Sequence, residues 1–403
     1  MAVYRELPEE RFDAFYEYVR YAFLPERGIP EYDPEEDEHP EISARRALYE
    51  AGAPADADPL CLCAHLWFDT RVRGETHPSA GLSAVASPPE HRRGGHVRQL
   101  LEASLEEYRE RGLHFATLWP FRYRFYAQYG WEYADDRVRV ECPPEALAFA
   151  TDAIGERGTF RRLEADEFAA LAPVYEAHTE GYGLALERDE TWWRYRVFEH
   201  WRDDPFVYGW ERDGEIRAYV VCTFDGELGE RTMTVSDHAF VDHESHLAAL
   251  SFCHRHDSQV ETVTFETPSD SSLLDVVPDP DELERTLTAG PMVRLVDVSE
   301  ALEALSYPAG ETERVTIAVE DPLAAWNDGT FTLAVTDGEA TCRPSSEPPE
   351  VTLDVGTLSQ LAVGARRVET LERTERLSST DAAGVETLGR LFPPEPVYLR
   401  EFF

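Results

Sequence analysis

The alternation of apolar and polar positions along the chain sorts it into three segments. In the first, residues 1–147, the aromatic residues of "EERFDAFYEYVRYAF" recur at helical spacing. Proline- and acid-rich loops follow, then the strand-like runs "LCLCAHLWFD" and "GLSAVAS". After the loop "PPEHRRGG" the pattern predicts a helix from about Val97 to Arg111, a strand at "HFATLWP", a short helix at "RYRFYAQYG" and a strand within "WEYADDRVRVECPP". This order predicts a mixed α/β (α+β) domain. The second segment, residues 148–289, opens the same way, with a strand and an amphipathic helix in "GTFRRLEADEFAALAPVYEAHTEG". In it "TMTVSDHAFVD" corresponds to "GLSAVAS", and the helix "HESHLAALSFCHRH" to the helix after Gly95. The second segment repeats the plan of the first without a glycine loop, as expected of an internal duplication in which one copy lost a ligand site. In the third, residues 290–403, "PMVRLVDVSEALEALSY" reads as strand then helix, followed by a hairpin and further strand and helix patterns. The closing "YLREFF" is too apolar for a frayed tail.

Composition changes this picture in three ways. At 403 residues the chain is long enough for two or three domains. The formal net charge is -41, and all 38 basic residues are arginine. A dense carboxylate surface of this kind suits a protein working where salt screens charge, so a halophilic source is expected. The run "EYDPEEDEHPE", Glu31 to Glu41, then reads as solvated surface, since it lacks the spacing of a calcium loop. A nucleic-acid partner is disfavoured, because no basic face offsets the field. No stretch approaches a membrane span and the amino terminus has no leader pattern, so a soluble, cytoplasmic protein without membrane attachment is expected. Six scattered cysteines fit reduced, buried thiols. "CLCAH" sets Cys61, Cys63 and His65 along one strand face, which could chelate a metal or line a core. The spacing favours the core, and no metal is expected here or at "CHRHD".

The loop "EHRRGGHVRQLL" carries the clearest chemistry. Gly94 and Gly95 stand where a helix begins, so the backbone can turn tightly and leave N–H groups uncovered. A helix start attracts phosphate, and Arg92 and Arg93 add fixed bidentate charge beside His96. These residues suit a pyrophosphate cradle, although on their own an ordinary loop fits them too. A Walker-type loop is excluded by the absence of lysine, and a dinucleotide fingerprint by the absence of GxGxxG.

Strand "SAVAS", loop "PEHRRGG", a long helix, then a strand and "FYAQYGW" resemble the GNAT superfamily of acyl-CoA-dependent N-acetyltransferases. Arg92-x-x-Gly95 matches the first half of that family's loop, while Val97 replaces its final small residue. "GLSAVASPPEHRRGG", "PMVRLVDV" and the apolar terminus are closer still to the enhanced-intracellular-survival type, in which two tandem GNAT units precede a domain similar to sterol carrier proteins. Trp131, where that type commonly has tyrosine, and "PFRYRF" depart from it.

The resemblance implies acetyl-CoA as co-substrate. Its pantetheine arm would pair with the backbone of Ala84, Val85 and Ala86, its pyrophosphate would lie on Arg92 to His96, and Phe121 and Arg122 would line it. Tyr126 matches the catalytic tyrosine and would act as general acid, with Tyr129 and Tyr133 as nearby substitutes. The terminal carboxylate, here that of Phe403, would orient the amine, with Glu401 drawing in a cation. The acceptor would be a small-molecule amine or a protein lysine, and the assembly a homo-oligomer, a hexamer by resemblance. The alternative is a non-catalytic acyl-CoA or lipid binder.

Overall fold

A computed structural model describes residues 2–29, 32–33, 42–54, 56–199, 204–227, 229–310, 312–380 and 382–403. The acidic run Glu31–Glu41 lies outside these apart from Tyr32 and Asp33. The chain forms two units: Met1–Ala134 with Gly290–Val397 and Glu401–Phe403, and Asp135–Ala289 with Tyr398–Arg400.

In the first unit, β1 (Ala2–Glu6), β2 (Ser43–Glu50), β3 (Cys61–Val72) and β4 (Glu75–Ala86) pair antiparallel in that order. β4 then runs parallel to β5 (Phe115–Leu118), as its connection through the helix α2 (His96–Glu110) requires. α1 (Phe12–Phe23) precedes β2, and the short α3 (Tyr123–Ala127) leads into β6 (Glu132–Tyr133). The strand Met292–Leu295 inserts between β5 and β6, antiparallel to both. α2 is fixed to the sheet by a buried polar cluster. Arg46 donates to both oxygens of Glu107, at 2.8 and 2.9 Å, and the Tyr4 hydroxyl donates at 2.6 Å. Burial works to raise the Glu107 carboxyl, but the bonds from Arg46 and Tyr4 outweigh it and hold it down at about 2. Cys61, Cys63 and His65 face this core with no solvent exposure. His65 Nε2 lies 3.1 Å from Ser104 Oγ, and burial keeps its ring neutral, lowering its pKa to about 3.

A third sheet, in the order Glu339–Pro344, Gly329–Thr336, Thr312–Glu320, Val351–Asp354, Leu377–Ser379, completes the first unit. The β3–β4 hairpin reaches it. Its two turn residues, Arg73 and Gly74, have φ of 52° and 80°, the pair of positive values that a tight two-residue hairpin demands. The Arg73 guanidinium, almost wholly buried, donates to the carbonyls of Leu361 and Ala362 at 2.7 and 2.8 Å, covering the end of the helix Val355–Ala362. A buried ion pair ties the same parts together: Arg294 donates to Asp321 at 2.5 Å and to the Tyr129 carbonyl at 2.5 Å. The guanidinium fills the space where Gly130, at φ 87°, would otherwise carry a Cβ.

The second unit has a sheet in the order Glu284–Ala289, Asp136–Cys142, Thr262–Thr267, Thr232–Phe240, Glu215–Asp225, Phe206–Arg212, Thr159–Arg162. The segment "WEYADDRVRVECPP" is therefore shared: Glu132–Tyr133 completes the first sheet, whereas Asp136–Cys142 turns Val138, Val140 and Cys142 into the second core. The sheets divide near residue 135, and the strand Met292–Leu295 belongs to the first sheet. Short strands of this kind are assigned by their partners, which hydrophobic alternation does not reveal.

The expected likeness of the two copies is visible in the sheets. Thr232–Phe240 is antiparallel to the strand before it and parallel to Thr262–Thr267, as β4 is to β3 and β5, and each carries an irregularity in register. Within the second unit Asp237 is buried between Arg188, at 2.7 Å, and Arg400, at 2.5 Å, and accepts from Tyr219 at 3.0 Å.

Candidate active site

In the first unit the site begins where β4 and β5 part. Their parallel pairing runs only from Ser79 opposite Phe115 to Gly81 opposite Thr117. Beyond Gly81, no strand among the described residues pairs with Leu82–Ala86 on that side. On the other side the register with β3 shifts: Leu62 faces Ala86 and Ala64 faces Ser83, so Ala84 and Val85 together stand opposite Cys63. Ala84 takes φ 51°, which costs a non-glycine residue about 1–3 kcal/mol. The bulge bends the strand at this point. Ala84 and Val85 are half-buried and Ala86 buried, and the edge offers unpaired peptide groups to an extended, amide-bearing chain.

β4 leads directly to the basic loop. Arg92, Arg93, Gly94 and Gly95 are exposed and His96 is half-buried. The chain turns through left-handed conformations at Arg93, φ 63°, and Gly95, φ 79°, the latter forming the N-cap of α2. Gly94 has a separate reason to lack a side chain: a Cβ there would come within 2.7 Å of His96 Nε2. The first turn of α2 has no side-chain cap and no acidic residue. Its N–H groups are thus left open next to the exposed residues Arg92 and Arg93 in the chain, an arrangement suited to phosphate. Arg92 is anchored by donating from Nε to the Ser87 carbonyl at 2.9 Å. The corresponding helix of the second unit, His243–His254, is closed instead. Asp242 accepts from the Ser245 N–H at 2.8 Å, and Ser245 Oγ accepts from the Asp242 N–H at 2.9 Å. An aspartate occupies the position a phosphate would need there.

α3 follows β5 and carries Tyr126. The tyrosine is 4% exposed and sits in the buried cluster with Leu82, Leu118 and Trp131. Phe121, Phe125 and Trp131 present ring edges or faces to it at 5.7, 5.0 and 6.4 Å. Burial, with a smaller contribution from Cys63, pushes its phenol well above the usual range, so it stays protonated at neutral pH. Phe121 and Arg122 are exposed at the start of α3. The backbone carbonyls of Tyr129 and Tyr133 accept from Arg294 and Gln360, and the Tyr133 ring lies under Arg366 at 4.4 Å.

The last residues of the chain reach the parting of the strands. The Phe403 ring lies against Gly81, whose Cβ would stand 2.7 Å from Phe403 Cε2, and packs on Phe68 at 5.5 Å. Trp119, just past β5, donates from its indole N–H to the Glu401 carbonyl at 2.7 Å and stacks obliquely on Phe402 at 5.5 Å. Neither Trp119 nor Phe68 stands out in the sequence. Gly81 did offer a signal, since a glycine inside a strand pattern often marks close approach of another group. Among the described residues no cluster of three or more His, Cys, Asp or Glu is arranged to hold a metal, and no helix is long and apolar enough to cross a membrane.

Comparison with known proteins places these parts in a recognisable frame. Residues 3–134 and 184–295 each match an acetyltransferase (GNAT) domain, and residues 298–400 match a sterol carrier protein domain. An uncharacterized N-acetyltransferase of Streptomyces avermitilis is 26% identical over 348 residues, covering 81% of this chain and 82% of its own. The N-acetyltransferase Eis of Mycobacterium tuberculosis is 27% identical over 343 residues, again covering 81% and 82%. The crystal structure of a probable N-acyltransferase from Enterococcus faecalis shares the fold, with a TM-score of 0.84 over 100% of both chains at 21% identity.

Proposed function

We propose that this chain, an N-acetyltransferase built of two GNAT acetyltransferase domains and a sterol carrier protein domain, binds acetyl-CoA in its first unit alone and passes the acetyl group directly to an amine. The observation that carries this reading is the contrast between two equivalent helix starts: α2 opens on Gly95 without a cap, whereas His243–His254 is closed by Asp242. In the proposed mode the first turn of α2, Arg92 and Arg93 take the pyrophosphate, with Gly94 and His96 shaping the loop. The edge of Ala84, Val85 and Ala86 pairs with the pantetheine amides, and Phe121 and Arg122 flank the entrance. Acetyl-CoA supplies an activated thioester carbonyl.

The neutral amine attacks that carbon, the carbon–sulfur bond breaks, the departing sulfur takes a proton from Tyr126, and the phenolate regains one from the acylated nitrogen through water. Burial keeps the Tyr126 phenol wholly in its protonated form at neutral pH, so the proton is present whenever the thiolate departs. In this proposal Phe403, through a terminal carboxylate, and the acidic surroundings orient the ammonium, which releases its proton to bulk solvent before the attack. A carboxylate of ordinary pKa is too weak a base to deprotonate the ammonium directly. We further propose a cationic small molecule or a lysine side chain as acceptor, a hexameric assembly, and adaptation to concentrated salt. The last predicts a thermal midpoint that rises between 0.1 and 3 M KCl as the repulsion within a net charge of -41 is screened, and light scattering reads the assembly.

The test is thiol release from acetyl-CoA in molar KCl with a polyamine, an aminoglycoside and a lysine peptide. Acetylation of at least one, abolished in Arg92→Ala/Arg93→Ala, supports the reading. Binding of acetyl-CoA without transfer to any amine contradicts it.

A further inference from the structure

We infer that Trp119 is a positioning residue that latches the segment Glu401–Phe403 into the gap between β4 and β5, and thereby sets the rate of acetyl transfer without contacting acetyl-CoA. The inference rests on the proposed function for its catalytic part and on contacts within the first unit for the latch itself.

Those contacts form a three-sided seat. Trp119 leaves the end of β5 and grips the segment twice, by the hydrogen bond from its indole N–H to the Glu401 carbonyl at 2.7 Å and by its ring against Phe402. β4 contributes the bare backbone of Gly81, and β3 contributes Phe68, which lies 2.8 Å from where a Gly81 Cβ would be. The Phe403 ring fills the space between them. Phe402, 56% exposed, buries little apolar surface of its own. The hydrogen bond from Trp119 is a directional contact on the segment, while the rings supply adhesion. The pairing of β4 with β5 ends at Gly81 and Thr117, so the segment lies beside the edge that precedes Ala84. A displacement of the segment by an ångström is enough to slow a reaction that depends on it.

The experiment compares four chains: wild type, Trp119→Phe, a chain shortened to end at Arg400, and the shortened chain carrying Trp119→Phe. Hydrogen exchange by mass spectrometry reads the last residues. Steady-state kinetics use acetyl-CoA and whichever amine of the panel the wild type accepts. Trp119→Phe keeps an aromatic ring and removes only the donor. The expected results are faster exchange over residues 401–403, kcat lower by roughly tenfold with KM for acetyl-CoA unchanged, and no further loss when Trp119→Phe is added to the shortened chain.

An equal loss from Trp119→Phe in both backgrounds would overturn the inference, because the tryptophan would then act independently of the segment. So would unchanged exchange and unchanged kcat. A wild type that acetylates nothing would overturn the proposed function instead, and the exchange comparison would still decide whether Trp119 holds the segment.

Discussion

Tyr126 and Gly130 lie four residues apart in "FYAQYG" and have opposite reasons for being what they are. Tyr126 presents a hydroxyl inside an apolar cluster, where a phenylalanine would fit equally well by volume. Tyr126→Phe is predicted to leave the folded state intact by circular dichroism and to lower kcat by about 100-fold, the usual contribution of a general acid. Gly130 is structural. Its φ of 87° is unfavourable for any side chain, and a Cβ would overlap the Arg294 guanidinium and stand 2.6 Å from Val355 Cγ1. Gly130→Ala is predicted to destabilise the first unit by about 3 kcal/mol or more, read as a lower urea midpoint, with loss of the ion pair to Asp321.

At the scale of elements, the position of α2 decides whether the loop faces a ligand, and Glu107 decides the position of α2. Glu107→Gln keeps the shape but removes the nearer charge that compensates Arg46, leaving the buried guanidinium with Glu6 at 3.8 Å. The expected cost is about 3 kcal/mol, measured by urea denaturation and accompanied by weaker acetyl-CoA binding. A variant as stable as the wild type would show that the cluster does not hold the helix. The same element shows how far the sequence could be read. The start of α2 after Gly95, its length and the strand before it were legible, because glycine pairs and helical periodicity are local signals. The bulge at Ala84 was not, since "SAVA" contains nothing that marks a positive φ. Nor was the crossing of the chain into the second sheet at Asp136, because alternation reports a strand but not its partner. The seat for Glu401–Phe403 was hidden for a related reason. Trp119 and Phe68 meet the tail only through sequence separations of hundreds of residues.

For the whole molecule, buried histidines set the response to acid. Burial lowers His65 to about 3 and His77, with help from neighbouring His114, to about 4, against a usual 6.5. Burial likewise lowers His178 and His246 to about 4. These rings are neutral in the fold but protonate readily once unfolded, so the unfolded chain binds more protons. Stability is therefore full above about pH 6.5 and falls as the pH drops toward 4, each ring near 4 contributing about 2 kcal/mol of loss at pH 5. The carboxylates held at about 2, Glu107, Asp237 and Asp242, add their loss only below about pH 4.5. The urea midpoint is thus predicted to fall markedly between pH 7 and 5, and less so in His77→Gln. A midpoint that stays flat over that range would contradict the burial of these rings as neutral groups.

In a chain that holds two copies of the same plan, acetyl-CoA is predicted to bind at one site, the open start of α2. Calorimetric titration of acetyl-CoA in molar KCl tests this most directly, with wild type, Arg92→Ala/Arg93→Ala and Asp242→Ala side by side. The prediction is one site per chain in the wild type, at least about 30-fold weaker binding when both arginines are removed, and an unchanged stoichiometry in Asp242→Ala, because the uncapped second helix still lacks an arginine- and glycine-bearing loop. Two sites in the wild type, or affinity indifferent to Arg92 and Arg93, would contradict it.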